Sequence, residues 1–92
     1  MDNATKPIDE KRLREVLLRA LRDAGLAPKD GWVTVRLVSG DAGTQYAIVV
    51  VAHIDARAVL TQILRPRKGQ AETSTVGVWV LGQTEAQELC RL

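Results

Sequence analysis

The ten residues QYAIVVVAHI, positions 45–54, constrain this chain more than any other stretch. Apolar side chains fill both alternating sets of positions. A strand of that kind has to be covered on both faces or lie at the centre of a sheet. The segment before it, WVTVRLV at 32–38, alternates instead. Val33, Val35 and Leu37 fall on one side, and Trp32, Thr34 and Arg36 on the other. Between the two lies SGDAGT at 39–44, a cluster of turn-forming residues. The pair reads as a hairpin with a loop longer than two residues. A third strand is expected at TSTVGVWVL, residues 73–81.

Helices are announced by period and punctuation. Leu13, Val16, Leu17, Ala20, Leu21 and Ala24 form one apolar stripe of a 3.6-residue period, which predicts a helix over 9–24. Asp9 is its expected N-cap, with Ile8 placed to pack on Leu13. Gly25, Leu26 and Pro28 supply the stop. A second helix is expected from an Asp55 N-cap to about Arg65, where Pro66 ends it. Its stripe is Val59, Leu60, Ile63 and Leu64. Thr84 and Gln87 have capping-box spacing and predict a short last helix over 84–91.

The sequence therefore predicts an α+β fold in the order α-β-β-α-β-α: a small three-stranded mixed sheet with helices mainly on one face. A helical crossover between the second and third strands predicts that they run parallel. The 92 residues allow one domain, 8–92, after a polar, disordered tail at 1–7.

Charge excludes little. Thirteen Lys and Arg against eleven Asp and Glu leave +2, too small an excess to mark a nucleic-acid footprint by itself. Residues 1–30 hold seven basic and six acidic side chains, spaced for i,i+4 pairs such as Glu10–Arg14 and Glu15–Arg19. A single cysteine, Cys90, rules out an internal disulfide and fits a reducing compartment. MDNATKPIDEK carries no apolar signal-peptide core, and no run approaches 18 apolar residues. A cytoplasmic protein without a membrane span is expected.

Chemical motifs are sparse. His53 and Asp55 form an H-x-D pair at a strand-to-helix junction, but no nucleophile or substrate pocket accompanies them. His53 and Cys90 are too far apart in sequence to suggest a zinc site. The G-x-x-G of Gly40 and Gly43 lies between strands and reads as a hairpin turn. It lacks the Lys-Ser/Thr of a phosphate loop. No enzyme activity, cofactor, metal or small-molecule substrate is predicted.

Partner surfaces remain. Matching strand parity to the helix stripes assigns Val33, Val35, Leu37, Tyr46, Ile48, Val50, Ala52, Val76, Val78 and Val80 to the core. That leaves Val49, Val51, Trp79 and Leu81 as an apolar patch on the other face, beside Arg36. Unless the last helix covers it, such a patch is expected to serve contact with a protein. The predicted interface is Arg36, Val49, Val51, Trp79 and Leu81, in a homodimer or with a second protein. The alternative is weak RNA or DNA binding by the basic stretch RPRKGQ through Arg65, Arg67 and Lys68. No aromatic residue interleaves with those cations for base stacking.

Overall fold

In the computed structural model the described residues are 7–64 and 76–91. The polar residues 1–6 lie outside them. So does the stretch 65–75, with Arg65, Arg67 and Lys68. Six elements follow in the expected α-β-β-α-β-α order: α1 (Glu10–Asp23), β1 (Val33–Ser39), β2 (Gln45–Val51), α2 (Ile54–Thr61), β3 (Gly77–Gly82) and α3 (Gln83–Leu89).

Helix α1 obeys its sequence signals. The Asp9 carboxylate accepts from the Arg12 N–H at 3.0 Å. At the other end Gly25 takes φ +90. The Leu26 N–H reaches back to the Leu21 carbonyl at 3.0 Å and the Gly25 N–H to that of Arg22 at 2.9 Å. These two bonds make the Schellman stop. Leu13, Leu17 and Leu21 are fully buried, and Ile8 beside the cap is nearly so.

The strands form a meander in the order β1-β2-β3, and both pairings are antiparallel. The parallel pairing expected for β2 and β3 is therefore corrected. Val51, the last residue of β2, lies opposite Gly77, the first of β3. The connection through α2 thus starts and finishes at the same end of the sheet. A parallel crossover would have to finish at the opposite end.

The assignment of faces is also corrected. Ser39 pairs with Gln45, so residues 40–44 form a five-residue loop. With an odd loop, odd-numbered positions of β1 face odd-numbered positions of β2: Val33 with Val51 and Val35 with Val49. A loop of even length would have placed Ile48 and Val50 inward instead. One residue of loop length moves a whole strand's side chains across the sheet. The core row is Val33, Val35, Ala47, Val49, Val51, Trp79 and Leu81, all buried. It packs with Leu13, Leu17 and Leu21 of α1, Ala56 and Leu60 of α2, Leu64 just beyond it, and Ala86 of α3.

Two helix starts also differ from expectation. His53, not Asp55, caps α2. It keeps an extended backbone (φ −154, ψ 134), and its Nδ1 accepts from the Asp55 N–H at 3.2 Å. Helix α3 begins one residue early, after Gly82, whose N–H donates to the Glu85 carboxylate at 3.1 Å. The pair expected at Thr84 and Gln87 is thus replaced by the reaching-back half of a capping box.

Elements distant in sequence are tied by side-chain bonds. The Ile8 N–H donates to Gln45 Oε1 at 2.8 Å, and the Gln45 N–H to Gln83 Oε1 at 3.4 Å. Arg12 Nε donates to the Cys90 carbonyl and Arg14 Nε to the Val33 carbonyl, both at 3.3 Å.

Trp79 is the largest fully buried side chain, 1% exposed. Its ring covers Gly77: a Cβ there would stand 2.7 and 2.8 Å from ring carbons and 3.0 Å from Arg57 Cγ. Gly77→Ala should therefore force the indole aside and cost about 1–3 kcal/mol. Trp79→Ala should cost about 3–5 kcal/mol through the cavity it leaves. Urea unfolding followed by far-UV circular dichroism measures both, and a midpoint unchanged in either variant would contradict this packing.

The hairpin loop holds a second localised strain. Ala42 sits at φ 59, ψ 27. An L-residue there is disfavoured by roughly 1–2 kcal/mol. Ala42→Gly should gain up to about 1 kcal/mol after the flexibility glycine adds to the unfolded chain. Ala42→Val should lose stability, because a β-branched side chain is poorly tolerated at positive φ. Urea midpoints in the order Gly above Ala above Val are expected, with unchanged slopes.

Candidate functional site

With the faces assigned, the outer side of the sheet is a different surface from the one predicted. Val49, Val51, Trp79 and Leu81 are core. Of the five residues expected at an interface, only Arg36 lies outside, and it is exposed. Its neighbours follow from the register. Arg36 faces Ile48, which faces Val80; Thr34 faces Val50, which faces Val78; Val38 faces Tyr46.

The helices pack on the other side of the sheet, and among the described residues none covers this face. Val38, Tyr46 and Val78 are each about 40% exposed, at 40%, 39% and 43%. Ile48, Val50 and Val80, nearer the middle, are half-buried by their neighbours. Thr34 and Arg36 are the polar members. Tyr46 also lies against Gly40, where a Cβ would stand 2.8 Å from its ring. That contact ties the ring to the hairpin loop. The face is thus mainly apolar, with Thr34 and one cation, Arg36, on the strand at its edge. Sequence periodicity pointed to such a face, and the loop length that decides which residues compose it went unread.

The remaining polar groups have structural occupations. The His53 ring stacks on Trp32, centroids 3.8 Å apart and planes 15° from parallel, while its Nδ1 caps α2. Asp55 contributes its backbone N–H to that cap, so the H-x-D pair is not an orienting carboxylate behind a base. Cys90 is half-buried beside α1. Burial pushes its thiol up, the Asp9 charge adds to this, and the Arg12 guanidinium opposes it. A thiol held in its protonated form is a poor nucleophile. Among the described residues no group of three or more His, Cys, Asp or Glu side chains is placed to hold a metal, and no helix is long and apolar enough to cross a membrane.

Two further features stand out on the helix side. A groove of about 260 Å³ is lined by Ile63 and Leu64 at the end of α2, Leu81 of β3, and Glu85, Glu88 and Leu89 of α3. One of its two carboxylates, Glu85, is engaged by the Gly82 N–H. Arg57 Nε and Trp79 Nε1, whose side chains close together over Gly77, are both buried without a hydrogen-bond partner. A buried donor left in that state costs roughly 1–3 kcal/mol.

The basic residues Arg65, Arg67 and Lys68 lie outside the described residues, so the nucleic-acid alternative has no geometry attached to it. Comparison with protein-family models, with characterised proteins and with solved structures finds no match to this chain, and the outer face is judged on its own chemistry.

Proposed function

We propose that this protein is a small, non-catalytic, cytoplasmic interaction module that self-associates through the outer face of its sheet. One observation carries the reading. Val38, Tyr46, Ile48, Val50, Val78 and Val80 form a continuous apolar surface on the side of the sheet away from the helices. Three strands about 4.8 Å apart and roughly 20 Å long present on the order of 300 Å². That is the size of the largest apolar patch on an ordinary monomer, and such patches are often functional.

A second copy is the favoured occupant because the surface is nearly uncharged and repeats a flat, alternating pattern, so it is complementary to itself. Arg36 sits on β1, the edge strand, where its head can reach solvent at the rim. Two stacked faces would bury roughly 600 Å² in total, below the standard size for a tight complex, so the association is weak. The lone cysteine and the want of disulfide cross-links support a reducing compartment.

The mass should therefore rise with concentration from the 10.1 kDa of one chain toward twice that value, as read by sedimentation or light scattering. Ile48→Asp and Val50→Asp should hold the protein at the mass of a single chain with an unchanged far-UV spectrum, because both side chains point away from the core. A wild-type protein that stays at 10.1 kDa from micromolar to near-millimolar concentration would remove the proposal. So would Asp variants that associate as the wild type does.

A further inference from the structure

The two edges of the sheet are not alike. In an antiparallel pair, residues whose N–H and C=O point at the partner alternate with residues whose groups point away. The Ala52 N–H donates to the Trp32 carbonyl at 2.8 Å, which sets the phase. Thr34, Arg36 and Val38 then turn their backbone groups toward β2. Val33, Val35, Leu37 and Ser39 turn theirs outward.

At Val33 the outward carbonyl is taken by Arg14 Nε. Among the described residues, the outward groups of Val35, Leu37 and Ser39 have no partner. The opposite edge differs: the Gly82 N–H is bound by Glu85, and Val76 and Val78 are engaged. An unpaired strand edge is a template for another strand, and natural edges are usually blunted by charged side chains, proline, bulges or short length, of which β1 has one, the charge of Arg36. β1 runs seven residues, VTVRLVS, with neither proline nor lysine.

We infer that a second copy of this chain pairs with β1 along this edge, antiparallel, about a two-fold axis at Leu37. This rests on self-association but goes beyond the stacked-face contact: it places a contact at the β1 edge that leaves the outer faces uncovered, so Ile48→Asp and Val50→Asp, on the central strand, should not disturb it. The register follows from which groups are open. Pairing Leu37 with its own counterpart, and Val35 with Ser39 of the other copy, uses the unpartnered groups and leaves the Arg14–Val33 bond in place. It sets Arg36 opposite Val38 of the other copy. An axis one residue earlier would put two Arg36 side chains face to face, a destabilising like-charge pair.

The side chains agree with this register. Leu37 belongs to the core-facing row yet is only half-buried, and Val38 is 40% exposed. Both lie at the axis, where the second copy covers them. The product is a six-stranded sheet. Its outer apolar faces join into one surface of roughly 600 Å², twice that of a single copy.

Cysteine pairing tests the register. In a Cys90→Ser background, purified Arg36→Cys and Val38→Cys proteins are oxidised separately and as an equal mixture. Positions 36 and 38 of the two copies form a non-hydrogen-bonded pair with Cα atoms about 4.5 Å apart, within reach of a disulfide. The mixture should yield several-fold more linked dimer than either protein alone. In parallel, Leu37→Pro removes an outward N–H without breaking a bond to β2. It should lower the dimer fraction several-fold in sedimentation, with circular dichroism confirming the fold.

Linked dimer from Arg36→Cys alone would overturn the register. A wild type that associates while the mixture gives no linked dimer would overturn edge pairing and leave self-association standing. A wild type that remains a single chain at every concentration would end both.

Discussion

Every other part of this molecule is placed by β2. Among the described strands it alone is hydrogen-bonded on both sides, and its seven residues fix the positions of β1 and β3. Ala47, Val49 and Val51 pass through the core, while Tyr46, Ile48 and Val50 line the opposite surface. The inner row is covered by the helices, whereas the outer row is left half-buried or exposed. An antiparallel sheet with one solvated face ordinarily carries polar residues there, so the apolar outer row of β2 departs from the usual alternation. α1 supplies a stripe of leucines, and α2 and α3 fill the remainder with small or single large side chains.

Much of this architecture was legible in the residues. The stripe of α1, its Asp9 cap and the Gly25–Leu26 stop each act over a few neighbouring positions. The order of elements follows from composition within single segments, while the two apolar rows of β2 allowed a central place without fixing it. What was not legible depended on relations between segments. The parity of β1 against β2 turns on whether the loop 39–44 contributes an odd or an even number of unpaired residues, and the turn-forming cluster SGDAGT is compatible with either. Ala42 at positive φ completes the odd loop, a conformation that alanine does not advertise. Because β2 is apolar in both rows, its own sequence could not correct the error.

The candidate surface inherited that error as an inversion. Trp79 and Leu81 suggested an interface because the parity assignment left them as an apolar patch on the face away from the helices. In the fold the larger set is the one that fills the space beneath the helices. Gly77 was the readable signal. A glycine two residues before a tryptophan on the same side of a strand leaves room for the ring to lie down, which is the posture of a buried indole. Arg36 kept its place because β1 alternates polar and apolar residues, so its two rows are distinguishable from sequence alone. His53 as a cap was missed because Asp55, two positions on, is the commoner residue for that task.

The long-range bonds of α1 bear on how the chain acquires its shape during synthesis. Within this fold α1 is synthesised before the other elements, and its side is completed by groups made after them. Arg12 reaches the carbonyl of Cys90, 78 residues onward, and the Ile8 N–H is held by Gln45, which in turn meets Gln83. Until those residues emerge, the leucine stripe of α1 has only a partial surface to cover it. Contacts of such separation slow folding, and domains of this size close as units. Between the synthesis of α1 and that of α3 the amphipathic helix is therefore only partly covered, an interval in which it is open to chaperones and to sister chains on the same message.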